Sequence, residues 1–191
     1  MIETILTIIM VFATPLPIWM IFLHLSMTHG TSRSTQYILY FSLGIIWFLL
    51  ALWAFSNQEL IFGPVFETTP WMQWLGVGIV LLGLLIDALV IRVLGWRKLI
   101  FFTELRGDAG NEQLIISGIY KHARHPRYVE YPLIAIGAAL VTGYWTLIGY
   151  AIYIFLGLWL VTYFEEQELV HRFGDPYHDY KKRVPRFFIK I

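Results

Sequence analysis

The stretch GIYKHARHPRYVEYPL, residues 118–133, sets three Lys or Arg residues and two histidines around a proline and then runs into apolar sequence. Charge gathered at the start of an apolar run is what a chain shows where it passes from water into lipid. The rest of the sequence agrees. Of its 191 residues, 58% are hydrophobic and 17% aromatic, against the roughly 45–50% apolar content of soluble domains. We therefore read an all-α integral membrane protein, a single multi-pass domain over residues 1–191. There is no cysteine, which excludes disulfides, thiolate catalysis and Cys-based zinc sites. The six histidines lack the H-E-x-x-H spacing of a helical zinc site, so no metal is expected. The net charge of +1 carries little information, and no nucleic-acid partner is expected.

Working outward from 118–133, five apolar segments approach spanning length, about 4–27, 37–55, 71–94, 126–140 and 145–164. Three lie within 1–94, and a polar loop rich in turn formers follows over 95–125. A hairpin and tail over 126–191 would form the functional site. The opening MIETILTIIM lacks a basic leader and a cleavage site, so the first run reads as a retained span. Pro15 and Pro17 remove backbone donors inside it and predict a kinked or broken helix. With five spans, all fourteen Lys and Arg residues fall on one side, since loop 56–70 and the turn at Gly143–Tyr144 carry none. The positive-inside rule then places the N-terminus outside and the C-terminus in the cytoplasm, in a cell's inner membrane. In the tail, EEQELVHRFG continues the last span to Gly174. DPYHDYKKR restarts a helix with Asp175 as its N-cap and Pro176 at the first helical position.

The last two spans are joined by a very short turn and nearly match in length. The start of one (Arg124, His125, Pro126) must therefore lie at the depth where the other ends (Glu165, Glu166). Pro126 suits the first helical position, which makes His125 the cap and aims free N–H groups at the loop as an anion site. Arg124 adds a fork of donors matched to a carboxylate, and the acid pair can hold a cation. An anionic and a cationic pole so close together suit a zwitterion such as an amino acid. Glu130 lies one turn deeper, flanked by Tyr128 and Tyr131, where a carboxylate is costly unless it is paired or lines a cavity. Tyr177 and Tyr180 share one side of the last helix. Several charges have plainer readings. Lys121, Arg127 and Lys181–Arg183 read as topology signals, His24 as a packing residue, and Asp87 with Arg92 as a structural intramembrane pair.

SGIYKHARHPRY (117–128), followed by EEQELVHRFGDPYHDYKKRVPRF (165–187), resembles the isoprenylcysteine carboxyl methyltransferases and the related membrane phospholipid methyltransferases. The shared pattern is G-x-Y…R-H-P-x-Y…E-E-x-x-L…F-G-x-x-Y-x-x-Y…V-P-R, and it covers about residues 118–188. The resemblance implies S-adenosylmethionine as cofactor, bound at the cytoplasmic end of the last hairpin, and a lipidic or prenylated acceptor drawn from the membrane lipids. Carried onto this chain, it assigns cofactor binding to Gly118, Tyr120, Arg124, His125, Pro126, Tyr128, Glu165, Glu166, Tyr177 and Tyr180. Backbone from Leu114 to Ser117 would border the adenosine. Arg124, Glu130 and Glu166 are the expected catalytic residues. Many members of the family carry glycine where this chain has Glu130, a departure that points to an amine-binding or proton-accepting role. Two alternatives stand beside this reading: an NADPH-dependent enzyme of sterol-reductase type, and a non-catalytic lipid-binding membrane protein.

Overall fold

A computed structural model describes residues 2–29, 33–95 and 113–188. Most of the loop expected over 95–125 (residues 96–112, with Arg97, Lys98 and Arg106) and Lys190 lie outside the described residues. The elements are α1 (Ile2–Ala13), α2 (Leu16–His29), α3 (Arg33–Ser56), α4 (Gln58–Phe62), α5 (Pro70–Leu94), a 3₁₀ turn (Gly118–Lys121), α6 (Arg127–Thr142), α7 (Trp145–Phe173) and α8 (Asp175–Arg183). Among the described residues the only β pairing is an isolated bridge between Val65 and Tyr144.

Among the described residues, three helical stretches are long and apolar enough to cross a membrane: Ile2–Phe22, Pro70–Leu94 and Trp145–Phe173. In α3 the apolar part is Phe41–Ser56. The fourth expected span proves to be the 16-residue α6, about 24 Å long at 1.5 Å per residue and short of a 30 Å hydrocarbon core. It is sandwiched between α5 and α7, and Tyr128, Glu130, Pro132, Ala135, Gly137 and Ala139 are all buried along it. A helix enclosed on both sides can carry Arg127 and Glu130 in its first turn because protein, not lipid, surrounds them.

Small residues bring α5 and α6 together. A Cβ on Gly76 would stand 2.6 Å from the Gly137 carbonyl oxygen, and one on Gly137 would stand 2.7 Å from that of Gly76. Two turns along α5, a Cβ on Gly83 would meet Ile134 Cγ1 at 2.7 Å and the Glu130 carbonyl at 3.3 Å. Membrane helices pack by such close backbone approach, because lipid removes the hydrophobic drive between them. At the other end Gly143 turns the chain from α6 into α7 in the left-handed conformation, φ 81°, and its carbonyl accepts the Phe66 N–H at 2.8 Å.

The break expected at the prolines falls between α1 and α2, at Thr14–Pro15. Pro15 cannot donate to Val11 four residues back, so that carbonyl needs another partner. Trp47 of α3 supplies it, Nε1 donating to Val11 O at 2.6 Å. From α7, Tyr150 and Tyr153 donate to the carbonyls of Met10 and Thr14 at 3.3 and 2.8 Å.

Two capping expectations are corrected. The helix expected to start from His125 begins at Arg127 with Pro126 as its cap, already in helical conformation. The backbone before it is tied to the tail instead: Arg124 N–H donates to Pro185 O at 2.9 Å and His125 N–H to Arg186 O at 3.0 Å. In α8 the cap is Gly174 at φ 60°, not Asp175, which is the first helical residue. The Gly174 carbonyl accepts the N–H groups of Tyr177 and His178.

Candidate functional site

The start of α6 and the end of α7 meet, with α8 and the tail folded over them. At the centre is Glu166, 3% exposed. Its Oε1 accepts from Arg124 Nε and Nη2 at 3.0 and 2.7 Å and from Arg186 Nε at 3.2 Å, with His125 Nε2 at 3.3 Å. Its Oε2 faces Lys181 Nζ at 2.8 Å and Arg186 Nη2 at 3.2 Å. Arg124 also donates through Nη1 to the carbonyls of Lys181 and Val184. One carboxylate and one guanidinium thus tie α6, α7, α8 and the tail together. The sequence reading had Arg124 and both acids free to hold a ligand; instead Arg124 and Glu166 are spent on each other and on the tail.

Glu165 points elsewhere. Its Oε2 accepts the Tyr128 hydroxyl at 2.8 Å and lies 3.1 Å from His125 Nδ1. The His125 and Tyr128 rings stack at 5.6 Å, 9° from parallel. Burial opposes a charge on His125, but Glu165, together with hydrogen bonds to both acids, outweighs it and raises the imidazole pKa above its ordinary value. His125 bridges the two carboxylates through its two nitrogens, an arrangement that favours the imidazolium, which donates from both. Behind them His24, expected as a packing residue, lies 3.8 Å from the buried Glu168, which Arg172 also contacts at 3.2 Å.

Beside this hub is a cleft of about 170 Å³. Of the residues expected at the cofactor site, Leu114, Tyr120, Arg124, His125, Pro126, Tyr128, Glu165, Tyr177 and Tyr180 line it. Gln113, Ile115, Arg127 and Arg172 join them, with Met20 from α2 and Leu94 from α5. Gly118 and Glu166 are not part of the lining. Gly118 sits at φ 58°, where an added Cβ would stand 2.5 Å from Val93 Cγ2, so it serves close packing of the 3₁₀ turn on α5. Glu130 lines a different cavity together with Asp87. Asp87 has no ion pair with Arg92 among the described residues, and Arg92 is exposed. The expected intramembrane pair is therefore not formed among the described residues; the Gly83 contact instead brings this face of α5 against the backbone of Glu130, and Asp87 and Glu130 line one cavity.

The tyrosines wall the cleft as neutral hydroxyls. Burial pushes Tyr180 up to about 12 and raises Tyr120 and Tyr177 further. Tyr180 donates to the Tyr120 carbonyl at 2.7 Å. Tyr177 is 1% exposed, and its hydroxyl has no hydrogen-bond partner among the described residues. A buried hydroxyl left unpaired costs about 1–3 kcal/mol and marks a place for a ligand atom. Cleft and hydroxyl together fit a polar, zwitterionic molecule with an aromatic part: Glu165 offers negative charge, Arg127 and Arg172 positive charge, and Leu114, Ile115 and Phe173 apolar surface.

Sequence reasoning missed the tail's part in this. Lys181 and Arg186 complete the Glu166 cage, and Pro185–Arg186 pairs with Arg124–His125. The only trace in the sequence was the V-P-R at 184–186.

Comparison with known proteins gives relatives with the same kind of name. The chain is 29% identical over 141 residues to rat protein-S-isoprenylcysteine O-methyltransferase, covering 71% of this chain and 48% of the relative. It is 30% identical over 149 residues to the human protein of that name, with the same coverage. Against the Schizosaccharomyces pombe protein it is 36% identical over 75 residues, 38% of this chain and 31% of the relative. The chain spans about half the length of the mammalian relatives it matches. No solved structure matches. The profile of the phospholipid methyltransferase family covers residues 71–176, taking in α5, the α6–α7 hairpin, the R-H-P motif and both acids. Matched over more than half its length, and through the elements that build the cleft, the chain belongs to the phospholipid methyltransferase family.

Proposed function

We propose that this chain is an S-adenosylmethionine-dependent membrane methyltransferase that acts on a lipidic or prenylated acceptor. One observation carries the reading: the unpaired Tyr177 hydroxyl, buried in a tyrosine-walled cleft that also presents Glu165. When bound, S-adenosylmethionine supplies a methyl group activated by its sulfonium. Glu165 would hold the cofactor's cationic portion, and Arg127 or Arg172 its carboxylate. Tyr177 would donate to an acceptor atom, and Leu114 and Ile115 would pack against the adenine. Arg124, His125 and Glu166 act by positioning: they lock α8 and the tail over the hairpin, so the cleft is organised before a ligand arrives. Preorganised orientation is where such an enzyme gains most, up to roughly 7–11 kcal/mol for a bimolecular reaction.

The membrane arrangement belongs to the same proposal. Five spans, with the N-terminus outside and the cleft facing the cytoplasm, let a water-soluble cofactor and a lipid acceptor reach the protein from different phases. The test is binding of S-adenosylhomocysteine to the purified protein, compared between wild type, Glu165→Gln and Tyr177→Phe. Both variants should bind at least about tenfold more weakly, the loss for one hydrogen bond to a charged partner. Membranes given methyl-labelled cofactor should yield labelled lipid. Absence of S-adenosylhomocysteine binding by the wild-type protein refutes the proposal. NADPH binding in its place would favour the reductase alternative.

A further inference from the structure

Arg172 and Phe173 end α7, and with Glu165 and Leu169 they line the cleft. These positions, i, i+4, i+7 and i+8, share one face of the helix. Glu165 and Arg172 therefore set a negative and a positive group on that face, about 10 Å apart along the axis at 1.5 Å per residue. Side chains on a helix lean toward its N-terminus, which narrows the gap from the Arg172 side. Arg127, another cation of the cleft, comes from α6 and lines a second cavity as well.

Arg172 is held from two sides. Its Nε lies 3.2 Å from Oε1 of Glu168, one turn back along α7, and its Cζ stands 4.8 Å from the centre of the Phe173 ring. Glu168 is buried and is not part of the cleft lining. Its Oε2 lies 3.8 Å from Nδ1 of His24 on α2, and His24 is buried too. Farther along, α2 is seated on α7 where a Cβ on Gly157 would meet Pro17 Cγ at 2.8 Å. A buried carboxylate is costly unless it is paired, and this one stands where it fixes a guanidinium that borders the cleft. A guanidinium carries five N–H donors in a planar fork, so one carboxylate does not exhaust it. Neither residue is fixed by the shared motif: Glu168 falls on an open position of E-E-x-x-L, and Arg172 precedes F-G.

Resting on the methyltransferase reading, we propose that Arg172 takes the carboxylate of the cofactor's amino-acid part and that Glu168, braced by His24, is the positioning residue that aims it. Glu165 faces the cationic portion from the same helix face. A guanidinium fixed beforehand loses less freedom when a carboxylate docks than one still free to turn. Neutralising Glu168 leaves the charge on Arg172 but not its direction, so the loss falls on ligands that carry the carboxylate.

The experiment uses the full chain in detergent micelles and isothermal titration calorimetry with two ligands. One is S-adenosylhomocysteine; the other is S-adenosyl-3-thiopropylamine, the same molecule without its carboxylate. Wild type should bind the first at least about tenfold more tightly, the worth of one charge-assisted hydrogen bond. Arg172→Gln should bring the two affinities within about threefold of each other. Glu168→Gln should lower the ratio at least about threefold by weakening S-adenosylhomocysteine, with the thiopropylamine affinity unchanged. Arg127→Gln should keep the ratio, whatever it does to overall affinity. A wild-type ratio near one, or a ratio that survives Arg172→Gln, overturns the anchor. A ratio unchanged by Glu168→Gln, or both ligands weakened equally, overturns the positioning role, since a merely structural carboxylate would not tell the two ligands apart. In all these outcomes S-adenosylhomocysteine still binds the wild type; absence of that binding instead refutes the reading on which the inference rests. If Glu168→Gln fails to fold, Glu168→Asp, which withdraws the charge by one methylene, takes its place with the same expected fall in the ratio.

Discussion

Substituting Glu166 by glutamine should damage the fold more than the chemistry. The side chain keeps its shape but loses its charge, and four basic groups from three segments now face a neutral amide. Arg124 and Glu166 are 8% and 3% exposed, and the His125 side chain is 3% exposed, so water cannot replace what is lost. Lys181 and Arg186 are 42% and 28% exposed, and their contacts are discounted for solvent screening. The buried Arg124–His125–Glu166 set then dominates, and removing one member of a buried ion pair costs about 3–5 kcal/mol. For a chain of this length 1 kcal/mol corresponds to roughly 2–4 °C in Tm, so Glu166→Gln should lower Tm by about 6–20 °C. Thermal unfolding in detergent micelles measures it, with limited proteolysis of the tail as a second readout. Glu165→Gln is the contrasting variant: its carboxylate contacts His125 and Tyr128 and faces the cleft, so it should weaken ligand binding with a smaller change in Tm. If the Glu166 variant melts within about 2 °C of wild type with its tail equally protected, the carboxylate does not hold these elements together.

Gly137→Ala should cost about 1–3 kcal/mol by overpacking, since the new Cβ meets backbone atoms at 2.7 and 2.9 Å; Gly149→Ala, with nothing within 4 Å, should be neutral or slightly stabilising in the same melt. Trp47→Phe should cost about 1–3 kcal/mol by leaving the Val11 carbonyl without its donor. Adding Pro15→Ala to that variant restores an N–H four residues on, so the double variant should recover part of the loss. Stability should also depend on pH through His125. Its folded pKa is raised above 6.5, so its contribution is complete below that pH and is lost as pH rises through the folded value. Tm should fall as pH is raised from 6.5, and His125→Gln should flatten that dependence.

The sequence by itself determined the class of protein and the neighbourhood of the site. Apolar runs have only helices open to them in lipid, because every backbone group must find a partner inside the chain. Pro15 and Pro17, four residues after Val11 and Ala13, had to break the first helix, and a short turn at Gly143 had to set Arg124–Pro126 beside Glu165–Glu166. Those are consequences of local geometry and reach. What only the tertiary structure decided is which of those charges satisfy one another. Glu165 and Glu166 are neighbours in sequence, yet on a helix they point about 100° apart: one faces the cleft, the other is enclosed by cations from the segment before α6, from α8 and from the tail. Asp87 and Glu130, 43 positions apart, face one cavity only because glycines let α5 and α6 touch. Pairing energies between buried charges depend on distances of an ångström or two and on who else competes for the same oxygen, and no linear pattern of residues records either.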